Sequence, residues 1–478
     1  MSLAQLDALA AQLAGRLIAA GFQRGQRIGV IAANTIEWVL LDIAAIKAGL
    51  VTAGFEFGKF NSVLQLVNTY NLKGIYADIA LDHTSACNVR PLVEEVLKAQ
   101  TASTEAAVAA PRYAAEDFTT IKFTSGSTGV PKGLCASVGS INNSLESVQK
   151  MFRHGATDNI LVFLPLSLLQ QRYWTYSALA YGHDVTVVPF AFALEAARQI
   201  PPTVIMGIPG FFESVKRQAA SGNAGSSSDL ERRREKIESL LGSRIRYLWT
   251  GSAPASPDVL HFFNDCGIPL FEGYGMNETC IVSKNHPGAH RIGSVGKVLP
   301  NKKIRIDEDG VLIVGSDHPV NTSYIYCSPG DNEKMFLPNG DVRTGDLARI
   351  DQDGFLYILG RADDMVALAN GRNIHVRTIE EKIKQHPGIG ECVLFGSREA
   401  YLIAVISPDE PLVNSGTIME HIGSVNATLA PDERVLKVLI TPAPFDSGLL
   451  TSQLKPKRKE IFNRFKDKIE KLDVVHTW

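Results

Sequence analysis

The sequence predicts an α/β protein: a large N-terminal domain of parallel-rich sheets with crossover helices and a β-rich subdomain, followed by a small C-terminal α+β domain. Three observations lead there. Short β-branched runs alternate with stretches of helical periodicity as far as about residue 290. Beyond that point Asp-Gly pairs separate alternating apolar runs in the manner of hairpins. A hydrophobic share of 45% with 21% charged residues over 478 positions supplies a large core and excludes a disordered chain or a coiled-coil rod.

In chain order, residues 3–20 read as an amphipathic helix, and Gly21 and Gly25 lead into RIGVIAAN as a strand and then a helix from Ile36. The alternation returns in NLKGIYAD, in DNILVFLPL followed by the helical RYWTYSALAYG, and in DVTVVPF. It returns again in TVIMGIP followed by FFESVKRQAA, and in IRYLWTG followed by SPDVLHFFNDCG. Strands separated by helices pair in parallel, because the crossover needs a helix to return the chain to the same edge. SGNAGSSSD, residues 221–229, reads as a mobile loop ahead of the charged helix LERRREKIESL. RIGSVGKVL, KKIRIDEDGVLIVG and DLARIDQDGFLYILG form the β-rich subdomain, about 291–362, which closes the N-terminal domain, residues 1–362. Residues 363–478 form the C-terminal domain and end in a Lys-rich helix.

Lys plus Arg total 48 and Asp plus Glu total 50, a net charge of −2, so no global basic field draws in nucleic acid or anionic lipid and any phosphate binding is local. The six cysteines, Cys87, Cys135, Cys266, Cys280, Cys327 and Cys392, stand singly with no CxxC spacing. This excludes a zinc ribbon or disulfide scaffold and predicts a reducing, cytoplasmic compartment. The N-terminal stretch carries Asp7 and Arg16 at helical period and reads as a surface helix, not a signal peptide. No apolar run is long enough to predict a membrane span.

The chemistry concentrates in FTSGSTGVPKG, residues 123–133, after the β-like TTIKF. Glycines allow successive backbone N–H groups to converge on an anion, while Thr124, Ser125, Ser127 and Thr128 add hydroxyl donors and Lys132 adds charge. That composition predicts a phosphate cradle. It is not GxxxxGK(S/T), so the Walker mechanism does not transfer.

FTSGSTGVPKG closely resembles the phosphate loop of the adenylate-forming superfamily, which comprises acyl-CoA synthetases, nonribosomal peptide adenylation domains and firefly-type luciferases. The resemblance continues in order through WTGSAP (249–254), EGYGMNET (272–279), VRTGDLARIDQDGFLYILGRADDM (342–365), NGRNIHVRTIEE (370–381) and GLLTSQLKPKRKEIF (448–462), with wording most like long-chain fatty acyl-CoA synthetases. It implies ATP, Mg²⁺ and coenzyme A, or the phosphopantetheine of an acyl carrier protein, as cofactors and partners. Thr124, Ser125, Gly126, Ser127, Thr128, Gly129 and Lys132 would hold the nucleotide phosphates. Gly251, Ser252, Ala253, Gly273, Tyr274, Gly275, Met276 and Asn277 would surround the adenosine. Asp346 would accept from the ribose hydroxyls and Arg361 would donate to ribose or phosphate.

The resemblance assigns Glu278, with Thr128, to the metal, and Glu278, Lys132 and Lys455 to catalysis. Lys455 is preferred over the adjacent Lys457 by its Thr451-x-x-x-Lys455 spacing. Asp364 would be the hinge about which the C-terminal domain turns between half-reactions, and Gly371 and Arg372 would admit the thiol. Acyl-pocket candidates are Leu168, Trp174, Gly207, Phe211, Phe212 and Met276. Two departures stand out: Asn277 replaces the Thr of GYGxTE, and Leu168 stands where fatty acyl enzymes carry His. The implied activity is ATP-dependent conversion of a hydrophobic acid, fatty or aryl, to acyl-AMP and then a CoA thioester. A variant limited to one half-reaction or loading a carrier protein, and a non-catalytic nucleotide-binding module, are the alternatives.

Overall fold

The computed structural model describes residues 1–56, 62–79, 86–99, 111–124, 132–220, 227–320, 323–362, 365–368, 373–396, 401–411, 414–450 and 456–474. The chain divides into two compact units. The first comprises Met1–Arg305, Ile313–Thr344 and Ile350–Tyr357; the second comprises Ile306–Leu312, Gly345–Arg349 and Ile358–Trp478.

The first unit opens with α1 (Leu3–Ala19), β1 (Arg27–Ile31), α2 (Ile36–Ala48), β2 (Val51–Phe55), α3 (Val63–Tyr70), β3 (Leu72–Ala77), β4 (Cys87–Asn88), α4 (Arg90–Ala99), β5 (Phe118–Thr124) and β6 (Lys132–Ser137). Helix α1 begins in a capping box, in which the Ser2 hydroxyl accepts the Gln5 N–H and the Gln5 side chain accepts the Ser2 N–H. It buries Leu6, Leu9, Leu13 and Leu17 along one face. The sheet runs β4-β3-β1-β2-β5-β6, parallel except for β6. Strand β6 returns antiparallel to β5 because the loop between Thr124 and Lys132 is too short for a crossover helix.

Next come α5 (Val138–Phe152), β7 (Asn159–Val162), α6 (Leu169–Tyr181), β8 (Asp184–Val187), α7 (Ala193–Gln199), β9 (Val204–Gly207), α8 (Pro209–Ala219), α9 (Ser227–Leu241), β10 (Tyr247–Thr250), α10 (Pro257–Asp265), β11 (Leu270–Met276), β12 (Cys280–Lys284) and β13 (Lys297–Val298). They build a sheet of order β13-β12-β11-β10-β9-β7-β8. Strands β8, β7, β9, β10 and β11 are parallel, and β12 and β13 are antiparallel additions. Two readings of the sequence shift here. Ser227–Asp229, expected in a loop, are the first turn of α9, where Asp229 favours the positive end of the helix. Lys297 and Val298, grouped by the sequence with the β-rich region, pair with Lys284 and Ser283 of β12.

Strands β14 (Lys302–Ile306), β15 (Val311–Ser316), β16 (Val342–Ile350) and β17 (Leu356–Arg361) form a four-stranded sheet in that order, with α11 (Asp331–Met335) inserted before β16. The second unit continues with β18 (Met365–Ala367), β19 (Asn373–His375), α12 (Val376–Ile383), β20 (Ile389–Gly396), β21 (Leu402–Pro408), α13 (Ser415–Asn426), β22 (Val435–Ile440) and α14 (Arg458–Glu470). Its three-stranded sheet, β20-β21-β22, is covered by Ile379 and Ile383 of α12 and Ile418 and Ile422 of α13 on one face and by Ile461 and Ile469 of α14 on the other. Among the described residues no helix is long and apolar enough to cross a membrane.

A buried polar pair sits beneath the seven-stranded sheet. The His154 ring, 3% exposed, places Nε2 2.7 Å from the Tyr247 hydroxyl, and its edge meets the rings of Trp174 and His183. Burial, then repulsion from His183, pushes the His154 pKa down to about 4. The folded value lies below the unfolded value near 6.5, so the unfolded chain takes up the proton first as pH falls. This group therefore leaves stability untouched above about pH 6.5 and removes about 3 kcal/mol on going to pH 4. The expected outcome is that His154→Phe, although less stable than the parent at pH 7.5, loses visibly less stability in urea titrations between pH 6.5 and 4.

Candidate active site

Glu278 stands on the turn of the β11–β12 hairpin. Met276 pairs with Cys280, leaving Asn277, Glu278 and Thr279 as a three-residue loop closed by Cys280 in the left-handed region, φ 55°. The Thr279 hydroxyl accepts the Met276 N–H at 3.2 Å and fixes the turn. Gly275 is required there, since a Cβ would collide with the Cys280 carbonyl. The hairpin thus aims a carboxylate inward, where Glu278 is only 6% exposed.

Two residues that the sequence did not single out organise this carboxylate. The Tyr324 hydroxyl donates to Glu278 Oε1 at 2.8 Å, and the Tyr324 ring is held edge-on by Phe336. Lys132, on the first position of β6, lies over the same tyrosine ring at 5.1 Å and pairs with Asp331 Oδ1 at 3.1 Å. Asp331, at the start of α11, also accepts the Ser328 N–H. Tyr324 is therefore the bridge between the two expected catalytic residues: its ring faces the ammonium and its hydroxyl holds the carboxylate. Burial first, then the adjacent Glu278 charge, raises the Tyr324 pKa far above the usual phenol range, so the hydroxyl stays a donor. No motif marks Tyr324 or Asp331; the nearest signal is the turn at Ser328-Pro329-Gly330 ahead of a short helix.

Gly251, Ser252 and Ala253 follow β10, with Ser252 at φ 68°. Gly251 lies against the carbonyl of Gly273, where a Cβ would approach to 3.3 Å, so this loop abuts the strand that carries Tyr274. The loop is pinned at Ala255, whose N–H donates to Glu272 Oε1 at 2.8 Å. Burial pushes Glu272 up to about 7 and drives neighbouring Lys284 well below the usual ammonium value. Lys284 donates to the Phe271 carbonyl at 3.0 Å and lies 3.6 Å over the Trp249 ring.

The acyl-pocket candidates divide between the two faces of the seven-stranded sheet. Trp249 pairs with Met206, and Thr250 with Gly207, so alternation puts Trp249 and Met206 on one face and Gly207 on the other. Trp174 packs edge-on to Trp249, whereas Phe211 and Phe212 crowd Gly207. Leu168 precedes α6 and packs with the latter group, and Met276 ends β11. In the second unit Asp346, 8% exposed, accepts from Arg361 Nη1 at 3.2 Å. Gly345, φ 73°, makes room for that guanidinium: a Cβ would reach Arg361 Nη2 at 2.8 Å. Ser125, Gly126, Ser127, Thr128, Gly129, Asp364, Gly371, Arg372 and Lys455, and the Thr124 side chain, lie outside the described residues.

The donor set suits magnesium. Glu278 offers one hard carboxylate, and among the described residues no group of three or more His, Cys, Asp or Glu side chains could hold a metal. That pattern fits an ion that takes one or two protein oxygens and completes its shell with phosphate and water.

Comparison with known proteins follows from this geometry. Residues 1–318 match the AMP-binding enzyme family and residues 363–473 match the AMP-binding enzyme C-terminal domain. A long-chain-fatty-acid–CoA ligase of Mycobacterium bovis is 27% identical, with the alignment covering 95% of this chain and 89% of that protein. A 2-succinylbenzoate–CoA ligase of Bacillus cereus is 24% identical over 87% of this chain and 84% of its own length. ATP-bound MatB from Rhodopseudomonas palustris shares the fold with a TM-score of 0.77 at 22% identity, covering 97% of this chain and 93% of its own. The o-succinylbenzoate CoA synthetase of Bacillus subtilis in complex with its acyl-adenylate intermediate gives 0.77 at 22% identity over 95% and 92%.

The Tyr324–Glu278 bond yields a direct test. Tyr324→Phe leaves a buried carboxylate oxygen without its donor and is expected to lower stability by about 1–3 kcal/mol. Combined with Glu278→Gln, the double-mutant cycle in urea should return a coupling of at least about 0.5 kcal/mol. Strict additivity would show that the two side chains do not depend on each other.

Proposed function

Since the chain belongs to the family of AMP-binding enzymes, we propose that it is an acid–thiol ligase that converts a hydrophobic carboxylic acid, fatty or aryl, to acyl-AMP and then to a thioester of coenzyme A. The observation that carries this reading is the Lys132–Tyr324–Glu278 constellation beside the phosphate-loop hairpin. An ammonium and a fixed carboxylate bridged by one tyrosine support a site for a phosphate and its accompanying cation, and the Lys455 assigned by the C-terminal motif weighs against a plain nucleotide-binding module.

In the first half-reaction a carboxylate oxygen of the acid attacks the α-phosphorus of ATP, the bond from that phosphorus to the bridging oxygen breaks, and pyrophosphate leaves. Lys132, with Thr124, Ser125, Gly126, Ser127, Thr128 and Gly129, holds the phosphates. Glu278 and Thr128 would hold magnesium, which would supply neutralisation of the phosphate charge. Tyr274, Gly251, Ser252, Ala253, Gly273, Gly275, Met276 and Asn277 enclose the adenosine, with Asp346 accepting from the ribose hydroxyls and Arg361 fixing Asp346. Lys455 stabilises the negative charge that builds on the phosphoryl oxygens, a role worth several kcal/mol for a preorganised donor.

In the second half-reaction the thiol sulfur attacks the acyl carbon, the bond from that carbon to the phosphate oxygen breaks, AMP leaves and the thiol proton passes to solvent. The two steps need two arrangements of one site. We assign residues 363–478 to a C-terminal domain that turns about Asp364, so that Gly371 and Arg372 replace Lys455 at the nucleotide. The compact second unit, whose longest segment is Ile358–Trp478, supports this boundary. A cytoplasmic location accords with six free cysteines.

A panel of fatty and aryl acids with Mg·ATP, scored by mass spectrometry for acyl-AMP, pyrophosphate and thioester, tests the reading. Thioester and AMP that form only with coenzyme A are the expected result. Acyl-AMP without thioester would move the acceptor to a carrier protein, and no acyl-AMP from any acid would sink the adenylation itself. Lys455→Ala is expected to slow single-turnover acyl-AMP formation by about 10²-fold or more while ATP binding persists. An unchanged rate would transfer the role to Lys457.

A further inference from the structure

A cavity of about 20 Å³ lies in the first unit between α5, α6 and the seven-stranded sheet, lined by Val148, Tyr173, Trp174, Met206, Trp249 and Ile281 among others. Met206 and Trp249 are each the next-to-last residue of their strands, β9 and β10, so the cavity lies against the carboxyl ends of those strands. The carboxyl ends of parallel strands are where open α/β sheets take their ligands. The space admits about one water-sized group. A long hydrocarbon tail has no room among two tryptophans, a tyrosine and a methionine.

The polar side chains of the lining are Gln170, Tyr173, Trp174 and Ser177, of which the Ser177 hydroxyl is bonded to His183 and the Tyr173 hydroxyl to Cys280. Trp174 is 4% exposed, yet among the described residues its indole Nε1–H has no hydrogen-bond partner, nor has the Oε1 of Gln171, one helical turn away and 1% exposed. Buried tryptophan normally finds an acceptor, because an orphaned donor costs about 1–3 kcal/mol. The indole is not free to turn toward one: its ring meets Trp249 at 5.6 Å and 86°, and His154 at 5.6 Å and 83°. No charged side chain lines the cavity. The nearest buried amine, Lys284, lies over the ring of Trp249 and spends its N–H on the Phe271 carbonyl.

We propose that this cavity is the distal end of the acyl site and that the Trp174 N–H receives a neutral hydrogen-bond acceptor on the substrate. The acid is then a short or flat one that carries a ketone, ether or phenol oxygen at its far end, not a plain long-chain fatty acid. An uncharged lining makes a second carboxylate a poor occupant, since its burial would go uncompensated. The inference rests on the acid-activating reading above and narrows its substrate class.

The experiment compares matched acids, hexanoate with 5-oxohexanoate and benzoate with 4-acetylbenzoate, together with palmitate. It measures kcat/KM for pyrophosphate release by the parent and by Trp174→Phe, and the ¹H–¹⁵N resonance of the Trp174 indole during acid titration. The parent should favour each acceptor-bearing acid by about tenfold or more, and the variant should lose that preference, read as the ratio of kcat/KM within each matched pair. A preference unchanged in Trp174→Phe, or palmitate used as well as the best short acid, overturns the proposal and leaves the ligase reading intact. An indole resonance shifted by the oxo-acids alone, with no acyl-AMP formed from any acid, supports the cavity and overturns the ligase reading. A silent indole and no acyl-AMP overturn both.

Discussion

The arrangement of the first unit depends on one buried ion pair. Arg172 of α6, 2% exposed, reaches Asp42 of α2 at 3.0 Å and the Thr52 hydroxyl of β2 at 3.1 Å, with Tyr176 also donating to Asp42 and Trp38 beneath the guanidinium. Those partners come from the six-stranded sheet and its helix, whereas α6 packs on the seven-stranded one, so the pair sets where one sheet meets the other. Such pairs contribute little net stability, because desolvation offsets attraction, but the loss of one partner strands a buried charge. The guanidinium is incompletely satisfied even here, with Nε and Nη2 unpartnered. Its effect is geometric: it fixes the rotation of α6 and hence the direction in which Tyr173 and Trp174 point.

From that fixed frame the site is assembled out of segments far apart in sequence. Strand β5 ends at the phosphate loop, β6 begins at Lys132, the β11–β12 turn delivers Glu278, and the chain before α11 delivers Tyr324 and Asp331. Gly133 and Tyr326 seal the last junction by paired backbone bonds, Gly133 N–H to the Tyr326 carbonyl at 3.0 Å and Ile325 N–H to the Gly133 carbonyl at 2.9 Å. A main-chain bridge one residue from Lys132 and two from Tyr324 holds the ammonium over the ring without relying on side-chain packing. The lysine thus has an internal counter-charge, Asp331, at 3.1 Å.

The legible part of this structure is the part written in local pattern. Apolar β-branched runs announce β1, β3, β7, β9 and β10, and the glycine-rich turns announce the loops that follow them, because both signals come from neighbours along the chain. Helix α5 went unread for the converse reason: it buries Ser140, Asn143, Ser144 and Ser147 as well as Ile141 and Val148, so its inward face looks polar. Ser144 is satisfied along the helix, donating to the Ser140 carbonyl at 2.9 Å, and the Ser140 hydroxyl turns to Cys280 of β12. Glu278 and Lys132 are legible from their motifs; Tyr324 is not, since its role exists only once residues 132, 278 and 324 converge. The split of Trp174 from Phe211 was equally hidden, because which face of a sheet a residue occupies is decided by strand register and not by hydrophobicity.

Charge management completes the argument. Among the described residues three buried amines of the first unit form no ion pair: Lys122 is 3% exposed beside Cys280, Lys302 donates to the Thr279 carbonyl at 2.9 Å, and Lys284 rests on an aromatic ring. The fold relieves each locally. Burial shifts Lys284 toward the neutral amine, and Glu272 next to it toward the neutral acid. Burial alone would push the Cys280 thiol up, yet the Lys122 and Lys302 ammoniums, with the Tyr173 and Ser140 hydroxyls, bring it below the ordinary thiol value. The Lys132–Asp331 couple at the start of β6 differs from these amines in having a carboxylate partner and in being partly open, its side chains 16% and 13% exposed. An interior neutralised in this way lets one ammonium and one carboxylate, bridged by Tyr324, define the field that an incoming polyanion and its cation would meet.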